Sequence, residues 1–287
     1  MQLRPFALSV ANLLMIGFGT TSVKLAVAQP GLPDLIVRQD VLAQHWIVRD
    51  EDLPGTLCSV EEGGITPGMH TVLRFSVSTP NIGTADLVLG DPNVHIANGD
   101  GLYEFAPCHH HYHFRHYAKY ELIDPNTGFV WRAAKKGFCM IDVQPNPPGF
   151  GGIPPGPAQF KSCGAPGVPG NQGISVGHAD EYIWLLGGQY FVLDGGDGQP
   201  PVPPGQYIIR ITVNPGFVPA PGESIAFATP DPNHPGVFHQ LPESNYENNV
   251  AEAIVIITGH PGKTGIGPLA GTAEANGNVV EIEPFAK

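Results

Sequence analysis

Charged residues are scarce in this 287-residue chain, at 14% Asp, Glu, Lys and Arg, and no segment shows convincing helical periodicity. These absences argue against a coiled coil and against an acidic disordered tail. Basic residues are the rarer charges, with 14 Lys and Arg against 26 Asp and Glu and a net charge of −12. Such a surface is unsuited to nucleic acid or anionic membranes, and it either attracts cationic partners such as amines or lysine-rich proteins or simply keeps the chain soluble.

Glycine and proline are abundant, at 37 and 31 residues, as is typical of short strands joined by turns. Residues 71–78 alternate apolar and polar side chains in part, while 207–213 and 253–258 are the clearest strands. The aromatic segment 111–123 is also β-prone. We therefore predict an all-β fold, an antiparallel β-sandwich with little helix. It carries two long Pro/Gly-rich loops, and long loops in compact domains are often functional; these are residues 144–172 and 214–242.

The first 28 residues are typical of a secretory signal peptide, with a short basic start, an apolar stretch and the small residues Ala26 and Ala28 at the cleavage site. No later segment resembles a membrane span, so we expect no membrane association after cleavage. Cleavage removes Arg4 and Lys24 and leaves 12 basic against 26 acidic residues, a charge of −14. The prediction is a secreted or periplasmic protein with one domain over 29–260 and a tail of low order over 261–287.

Only four cysteines are present, Cys58, Cys108, Cys139 and Cys163, and all follow the signal peptide. An even number of cysteines in an oxidising compartment predicts two disulfides. Four cysteines permit three pairings, and their spacing does not choose between them.

The sequence Cys108-His-His-His-Tyr-His places three histidines at alternate positions. In an extended strand, His109, His111 and His113 would project from one face. Three imidazoles on one face can bind one copper or zinc ion and leave coordination positions open, which suits catalysis. The alternative is a surface polyhistidine tract, which the regular spacing and the flanking Cys and aromatic residues disfavour.

The three histidines alone do not distinguish a copper site from a zinc site. A zinc hydrolase would need a carboxylate base, for which Glu104 or Glu121 is a candidate, and His116 is a candidate further ligand.

The histidine motif C-H-x-H-Y-H resembles the copper-binding signature of the lysyl oxidase family. Further segments resemble that family in the same order and cover most of residues 34–260, namely YELID at 120–124, KKGFC at 135–139, QGIS at 172–175, DEY at 180–182, PGQY at 204–207 through VNP at 213–215, and PESNYENN at 242–249. The signal peptide and the few cysteines indicate a bacterial member.

The resemblance implies a copper-dependent amine oxidase that converts primary amines, peptidyl lysine or small amines, to aldehydes with oxygen, releasing ammonia and hydrogen peroxide. It implies a lysine tyrosylquinone cofactor formed from Lys135 and Tyr182, which match the family's positions. An amine must be uncharged to add to a quinone, so Lys135 should lie in a partly desolvated site. Lys136 is a neighbouring amine that could compete with Lys135 for the quinone. Asp180 and Glu181 are both candidates for the catalytic base.

The family pattern also implies the disulfides Cys58–Cys108 and Cys139–Cys163. It implies in addition a calcium site. Calcium takes six to eight oxygen ligands, a number that six matching residues can approach. The matching positions are Asp34, Leu35 through its carbonyl, Glu243, Asn245, Asn248 and Asn249. The alternative for 243–249 is a turn stabilised by Asx hydrogen bonds.

Two functions of different classes follow from these patterns. The first is a copper- and quinone-dependent oxidase whose partners are a cationic primary amine or a lysine-containing protein, together with molecular oxygen, and neither nucleic acid nor membrane. The second is an exported copper-binding β-sandwich in which no quinone forms. The presence of both Lys135 and Tyr182 favours the oxidase.

Overall fold

Short strands joined by turns make up most of the fold, as the composition predicts. The computed structural model describes residues 31–221, 225, 227–276 and 281. In chain order the strands are β1 Trp46–Leu53, β2 Gly68–Phe75, β3 Val77–Pro80, β4 Leu87–Gly90, β5 Tyr103–Ala106, β6 His111–Phe114, β7 Ala118–Ile123, β8 Val130–Arg132, β9 Gln144–Pro145, β10 Gln172–Ile174, β11 His178–Tyr182, β12 Tyr190–Val192, β13 Gly205–Val213, β14 Thr229–Pro230, β15 Phe238–His239 and β16 Val250–Ile257. The helices are α1 Gln39–Gln44, α2 Cys58–Glu61, α3 Pro92–Asn98 and α4 Ala273–Asn276, with a single 3-10 turn at Phe150–Gly152.

The largest sheet has four antiparallel strands in the order β16-β13-β7-β8. Along β16 exposed and buried residues alternate strictly, and β13 buries Tyr207, Ile209, Ile211 and Val213. Because successive side chains of a strand point to opposite faces, this pattern buries one face and leaves the other in water.

A three-stranded sheet of order β1-β2-β12 packs against the inner face of the larger one. The ring of Phe75, on β2, contacts the ring of Tyr120, on β7, at 5.3 Å between centroids, and stacks on Phe191 at 5.1 Å. This contact between two antiparallel sheets closes the core, and the all-β prediction is confirmed.

Two predicted strands are each divided in the structure. Residues 71–78 belong to β2 and β3, which join different sheets, and 111–123 splits into β6 and β7. The second break occurs because Phe114 donates its N–H to the Phe138 carbonyl at 2.6 Å, while Arg115 donates to the Leu102 carbonyl at 3.0 Å. The chain then stops pairing with β5 and enters the four-stranded sheet as β7.

The C-terminal segment was expected to be of low order, and its described part is instead packed on the sandwich. Ile266 exchanges two backbone hydrogen bonds with Val48, at 2.8 and 2.9 Å, and so covers the outer edge of β1. Leu269 and Ala275 are buried against Ile47 and Trp184. The low-order prediction was wrong for residues 261–276 because these apolar side chains cover the outer face of β1.

The predicted signal peptide lies outside the described residues. Within the described part of the chain, no helix is long and apolar enough to cross a membrane.

Candidate metal centre

The three histidines of the motif lie close together, but the backbone that carries them differs from the predicted strand. Strand β6 begins only at His111, while His109 and His110 lie in the preceding turn. His110 has a φ of 56°, in the left-handed region, so the uninterrupted strand from His109 was wrong. The turn is held by the disulfide at Cys108 and by the Cys108 N–H, which donates to Glu62 Oε1 at 2.8 Å.

The imidazole rings nevertheless converge. Ring centroids are 5.6 Å apart for His109 and His111, 5.0 Å for His109 and His113, and 4.9 Å for His111 and His113. The Nε2 atoms of His111 and His113 are 3.2 Å apart. Two nitrogens each about 2.0–2.1 Å from one metal ion lie roughly 3 Å from each other, so this spacing fits a shared ion.

Hydrogen bonds orient two of these rings. His111 Nδ1 lies 2.9 Å from the His109 carbonyl, and His109 Nδ1 lies 2.6 Å from Glu62 Oε2. A carbonyl and a carboxylate only accept hydrogen bonds, so each Nδ1 is the donor, and Nε2 is the nitrogen through which each neutral ring can bind a metal ion. Burial, followed by the charge of Lys135, lowers the pKa of His113 to about 2, which keeps this ring in the neutral form that binds metals.

Glu62 and Gly137 complete the surroundings of the histidines, and neither was predicted. Glu62 follows α2 and comes beside His109 because Cys58, in the same helix, is bonded to Cys108. A Cβ atom at Gly137 would lie 2.6 Å from the His113 ring, so only glycine permits this approach. One signal available in the sequence was the position of Glu62 one helical turn after Cys58, which the family resemblance pairs with Cys108 of the motif.

Lys135 and Tyr182, the predicted cofactor pair, lie beside one another. Lys135 Nζ is 4.6 Å from the centroid of the Tyr182 ring and 5.3 Å from that of Phe138. The buried Tyr182 donates its hydroxyl proton to the Cys139 carbonyl at 2.8 Å. Burial, and then the nearby Asp180, raises the pKa of Tyr182 well above its usual value, so the ring is a phenol.

Asp180 and Glu181, the two candidate bases, differ in position. Asp180 is on the same face of β11 as Tyr182, since strand residues two apart share a face. It is 1% exposed, and its Oδ2 is buried without a hydrogen-bond partner. Burial raises the pKa of Asp180 well above its usual value. The Glu181 carboxylate interacts instead with Arg38 and His45.

A cavity of about 290 Å³ brings these groups together. Its lining includes the three histidines of the motif, the predicted cofactor pair and both candidate bases, namely His109, His111, His113, Lys135, Tyr182, Asp180 and Glu181. A second cavity of about 290 Å³ shares His109, His113 and Lys135 and adds the carboxylates of Glu62 and Glu104. Lys135 therefore borders two cavities, one of them lined by acidic residues.

The disulfides connect the segments that carry these residues. Cys58 pairs with Cys108, with Cα atoms 5.3 Å apart, and Cys139 pairs with Cys163, with Cα atoms 5.4 Å apart. Of the three pairings that the sequence permits, the one implied by the family resemblance is confirmed. The first bond anchors the histidine turn, and the second anchors the segment from Lys135 to Cys139.

Comparison with known proteins identifies the family. The family model for lysyl oxidase matches residues 58–221, more than half of the chain and every residue of the histidine, lysine and tyrosine site. The chain belongs to the lysyl oxidase family.

Individual relatives are distant in sequence. The chain is 26% identical to the protein-lysine 6-oxidases of Homo sapiens and Sus scrofa over 256 residues, 85% of its own length. It is 25% identical to lysyl oxidase homolog 2 of Homo sapiens over 238 residues, 79% of this chain and 25% of that protein. It spans 49% of the human protein-lysine 6-oxidase and 82% of the pig one.

The remaining candidates for metal or base chemistry in this lysyl oxidase family member do not line the cavity shared by the three histidines. Glu121 forms an ion pair with Lys119 at 2.6 Å within the four-stranded sheet. Glu104 is exposed, opposite His113 in the β5–β6 ladder and 3.6 Å from Arg115. His116 lines a third cavity of about 750 Å³ and not the one shared by the histidines.

Five of the six residues of the suggested calcium set are drawn together between the N-terminal segment and the turn before β16. Glu243 accepts from the Leu35 N–H at 2.5 Å and from Asn249 Nδ2 at 3.0 Å, and Asp34 accepts from Asn248 Nδ2 at 2.9 Å. The Oδ1 atoms of Asn248 and Asn249 are buried without hydrogen-bond partners, so they are available to a cation.

The sixth residue of that set, Asn245, is used differently. It is exposed, and its Oδ1 accepts from the Glu247 N–H at 3.0 Å, which is an Asx turn.

Proposed function

We propose that this chain catalyses the copper-dependent oxidative deamination of primary amines. The balanced reaction consumes an amine, oxygen and water and yields an aldehyde, ammonia and hydrogen peroxide. The observation that carries the proposal is the position of Lys135 Nζ, 4.6 Å from the Tyr182 ring centroid, in a cavity that three converging histidines also line. A copper-binding protein without catalysis would have no need of that pair.

His109, His111 and His113 are the proposed copper ligands, through Nε2 in each ring. Copper would supply the one-electron redox chemistry that oxidation of a phenol by oxygen requires. Imidazole suits copper, and three ligands leave coordination positions open. Glu62 supports the set by holding His109 in one tautomer and orientation.

Lys135 and Tyr182 are the proposed precursors of a lysine tyrosylquinone. One oxygen molecule would convert the Tyr182 phenol to an o-quinone and water. The neutral Lys135 amine would then add to a ring carbon, and a second oxygen molecule would reoxidise this adduct, giving hydrogen peroxide and a quinone in which a C–N bond replaces a ring C–H bond. The competing amine of Lys136 forms an ion pair with Asp197 and is exposed. This arrangement favours Lys135, which is only partly exposed and lies over the ring.

Asp180 is the proposed base that removes the α-proton of the substrate amine. Both candidates line the cavity, but Asp180 shares the strand face of Tyr182, while the Glu181 carboxylate interacts with Arg38 and His45. Burial raises the pKa of Asp180, which makes its ionised form a stronger base than a solvated carboxylate.

The proposed substrate is a cation, either a small primary amine or a lysine side chain of a protein. Glu62 and Glu104 line the second cavity beside Lys135, and the chain carries a net charge of −12. Opposite charge raises the local concentration of such substrates.

Calcium is a further proposed ligand, bound by Asp34, the Leu35 carbonyl, Glu243, Asn248 and Asn249, with Asn245 contributing less. Two buried and unpartnered amide oxygens support the site, since calcium takes oxygen ligands.

We also propose that the protein is secreted or periplasmic. The two disulfides support export, because such bonds persist in oxidising compartments.

The test is peptide mapping by mass spectrometry of protein matured in air with copper and of a copper-free sample. We expect a peptide that joins Lys135 to Tyr182 only in the copper-treated protein. The Lys136→Arg variant is the matched control and should form the same cross-link, whereas Lys135→Arg should not. Recovery of both residues unmodified in copper-loaded protein would instead favour the exported copper-binding β-sandwich.

A further inference from the structure

The outer face of the four-stranded sheet carries a row of apolar side chains that crosses every strand. Its members lie directly opposite one another in the register, namely Ile254, Ile208, Ile123 and Val130. The residues next to them in each strand are buried, so these four side chains point away from the core. Ile254 is 62% exposed, and Ile256, also on the outer face of β16, is 55% exposed. A continuous apolar surface of this kind is typical of an interface between proteins.

A row of alternating charges lies beside the apolar row on the same face. It takes one residue from each strand, in the order Glu252, Arg210, Glu121 and Arg132. Within one copy of the chain, Glu252 forms an ion pair with Arg210 at 2.6 Å. When an alternating row of four charges is reversed, every position changes sign. The charged row is therefore complementary to its own reverse, and the reversed apolar row is still apolar.

We propose that this face binds a second copy of the chain, sheet against sheet, around a two-fold axis parallel to the strands. Such an axis places β16 of one copy over β8 of the other, and β13 over β7. Glu252 then faces Arg132 of the second copy, while Ile254 faces Val130 of the second copy. The strands of the two sheets run in nearly the same direction, as in the aligned packing of two sheets. This proposal does not depend on the proposed oxidase function.

The charged row selects this axis over a two-fold axis that runs across the strands. An axis placed along the charged row would bring Glu252 onto Glu252 of the second copy, and like charges in contact are unfavourable. An axis placed between the two rows would bury charged side chains against isoleucines, which costs free energy because those charges lose water. Only the axis parallel to the strands matches both rows, and a two-fold contact of one surface with itself closes the assembly at two copies.

The size of the face sets the expected strength of the contact. Four strands about 4.8 Å apart, with about seven residues per strand at 3.4 Å each, give a face roughly 20 Å in each direction. A face of this size is at the lower end of specific interfaces, so we expect a dimer that dissociates on dilution. The cavity shared by the three histidines is lined by other residues, so dimer formation can be measured apart from catalysis.

The first experiment is sedimentation equilibrium of the whole protein over a series of concentrations. We expect the average mass to rise from that of a monomer towards that of a dimer. Ile254→Lys should weaken the dimer at least about tenfold, because it would bury an ammonium group against an apolar side chain. Val88→Lys is the matched control, since Val88 is 67% exposed on β4, outside this face, and should dimerise like wild type.

Reversal of single charges tests the axis itself. Glu252→Arg alone and Arg132→Glu alone should each be monomeric, because each dimer would place like charges opposite one another. An equimolar mixture of the two variants should form a heterodimer, since every opposed pair then has opposite signs. Residues 252 and 132 lie on the two outer strands of the sheet, about 14 Å apart within one copy, so this recovery requires contact between copies.

The mixture is followed by sedimentation velocity with a fluorescent label on one variant. Faster sedimentation of the labelled variant only when the other is present is the expected result, and it also shows that both variants are folded. Wild-type protein that stays monomeric at every concentration would overturn the second copy as the occupant of this face. A dimer that Ile254→Lys and both charge reversals leave unchanged, or a mixture without a heterodimer, would overturn the proposal as well.

Discussion

Lys135 and Tyr182 are held against one another by the same short segment. Lys135 Nζ lies 4.6 Å from the Tyr182 ring centroid, and the Tyr182 hydroxyl donates to the carbonyl of Cys139, four residues after the lysine. Cys139 is in turn bonded to Cys163. The amine and the ring are therefore positioned by one rigid frame, which lowers the entropic cost of bringing them together.

Replacement of the lysine should abolish amine oxidation. In Lys135→Arg the bulky, permanently charged guanidinium cannot add to an oxidised ring, so we expect peroxide release from a primary amine to fall by at least about a thousandfold. Lys136→Arg should keep nearly full activity because Lys136 pairs with Asp197. If activity survives in Lys135→Arg but disappears in Lys136→Arg, Lys136 and not Lys135 forms the cross-link.

Glu62→Gln should weaken copper binding. Its carboxylate accepts from His109 Nδ1 at 2.6 Å, and loss of such a partner commonly lowers metal affinity about 10- to 100-fold. A copper titration of the metal-free protein measures this change. Glu104→Gln is the control, because Glu104 is exposed and near Arg115, and its copper affinity should match that of wild type. If Glu62→Gln binds copper as tightly as Glu104→Gln and wild type, Glu62 does not support the copper site.

The pH dependence of kcat should report the proposed base. Burial raises the pKa of Asp180, so the ionised form needed for proton removal accumulates at higher pH than for an ordinary carboxylate, and kcat should rise with pH. Asp180→Asn should lower kcat by about 10²–10⁴-fold, while Glu181→Gln should change it little. A variant at Asp180 that keeps the wild-type profile would exclude it as the base.

Acid should destabilise the protein through Glu51. This buried carboxylate bonds to Arg49 and Arg74, each at 2.7 Å. Burial disfavours its charge, but the two arginines outweigh burial and lower the pKa of Glu51 below 4.5. Because the folded pKa is the lower one, the stabilisation is present above 4.5 and is lost as the pH falls through the folded pKa.

The variant Glu51→Gln tests this network by thermal unfolding. Breaking a buried ion pair costs about 3–5 kcal/mol, so its melting temperature should be lower at neutral pH, and the difference should shrink in acid. The control Glu252→Gln removes an exposed pair with Arg210 and should cost about 0–1 kcal/mol. A pH-independent difference for Glu51→Gln would contradict the assignment.

Removal of calcium should lower the melting temperature of the wild-type protein. The buried oxygens of Asn248 and Asn249 lose a partner when a chelator removes the ion. Asn249→Ala should weaken calcium affinity at least about tenfold, measured by calorimetry. Asn245→Ala should change it little, because Asn245 Oδ1 already accepts from the Glu247 N–H. Insensitivity of the wild type to both chelator and calcium would leave only the Asx turn.

Much of the fold class and the identity of the candidate ligands could be predicted, because both depend on local patterns. The alternation in 207–213 predicts a half-buried strand, and the structure has one over Gly205–Val213. The same reasoning was wrong for His109, since it assumed a strand where the chain turns at His110. Glu62 and Gly137 were missed because their nearness to the histidines follows from the Cys58–Cys108 bond and from packing.

The amino-acid sequence alone determined the all-β class, the order of the motifs and the types of side chain that the site can use. Only the tertiary structure decided that Lys135, and not Lys136, lies over Tyr182, and that Asp180, and not Glu181, lies on the strand face of Tyr182. Adjacent residues of an extended chain point in opposite directions, so the choice between neighbours depends on what each face packs against. That packing is set by segments far apart in the chain, which no local pattern specifies.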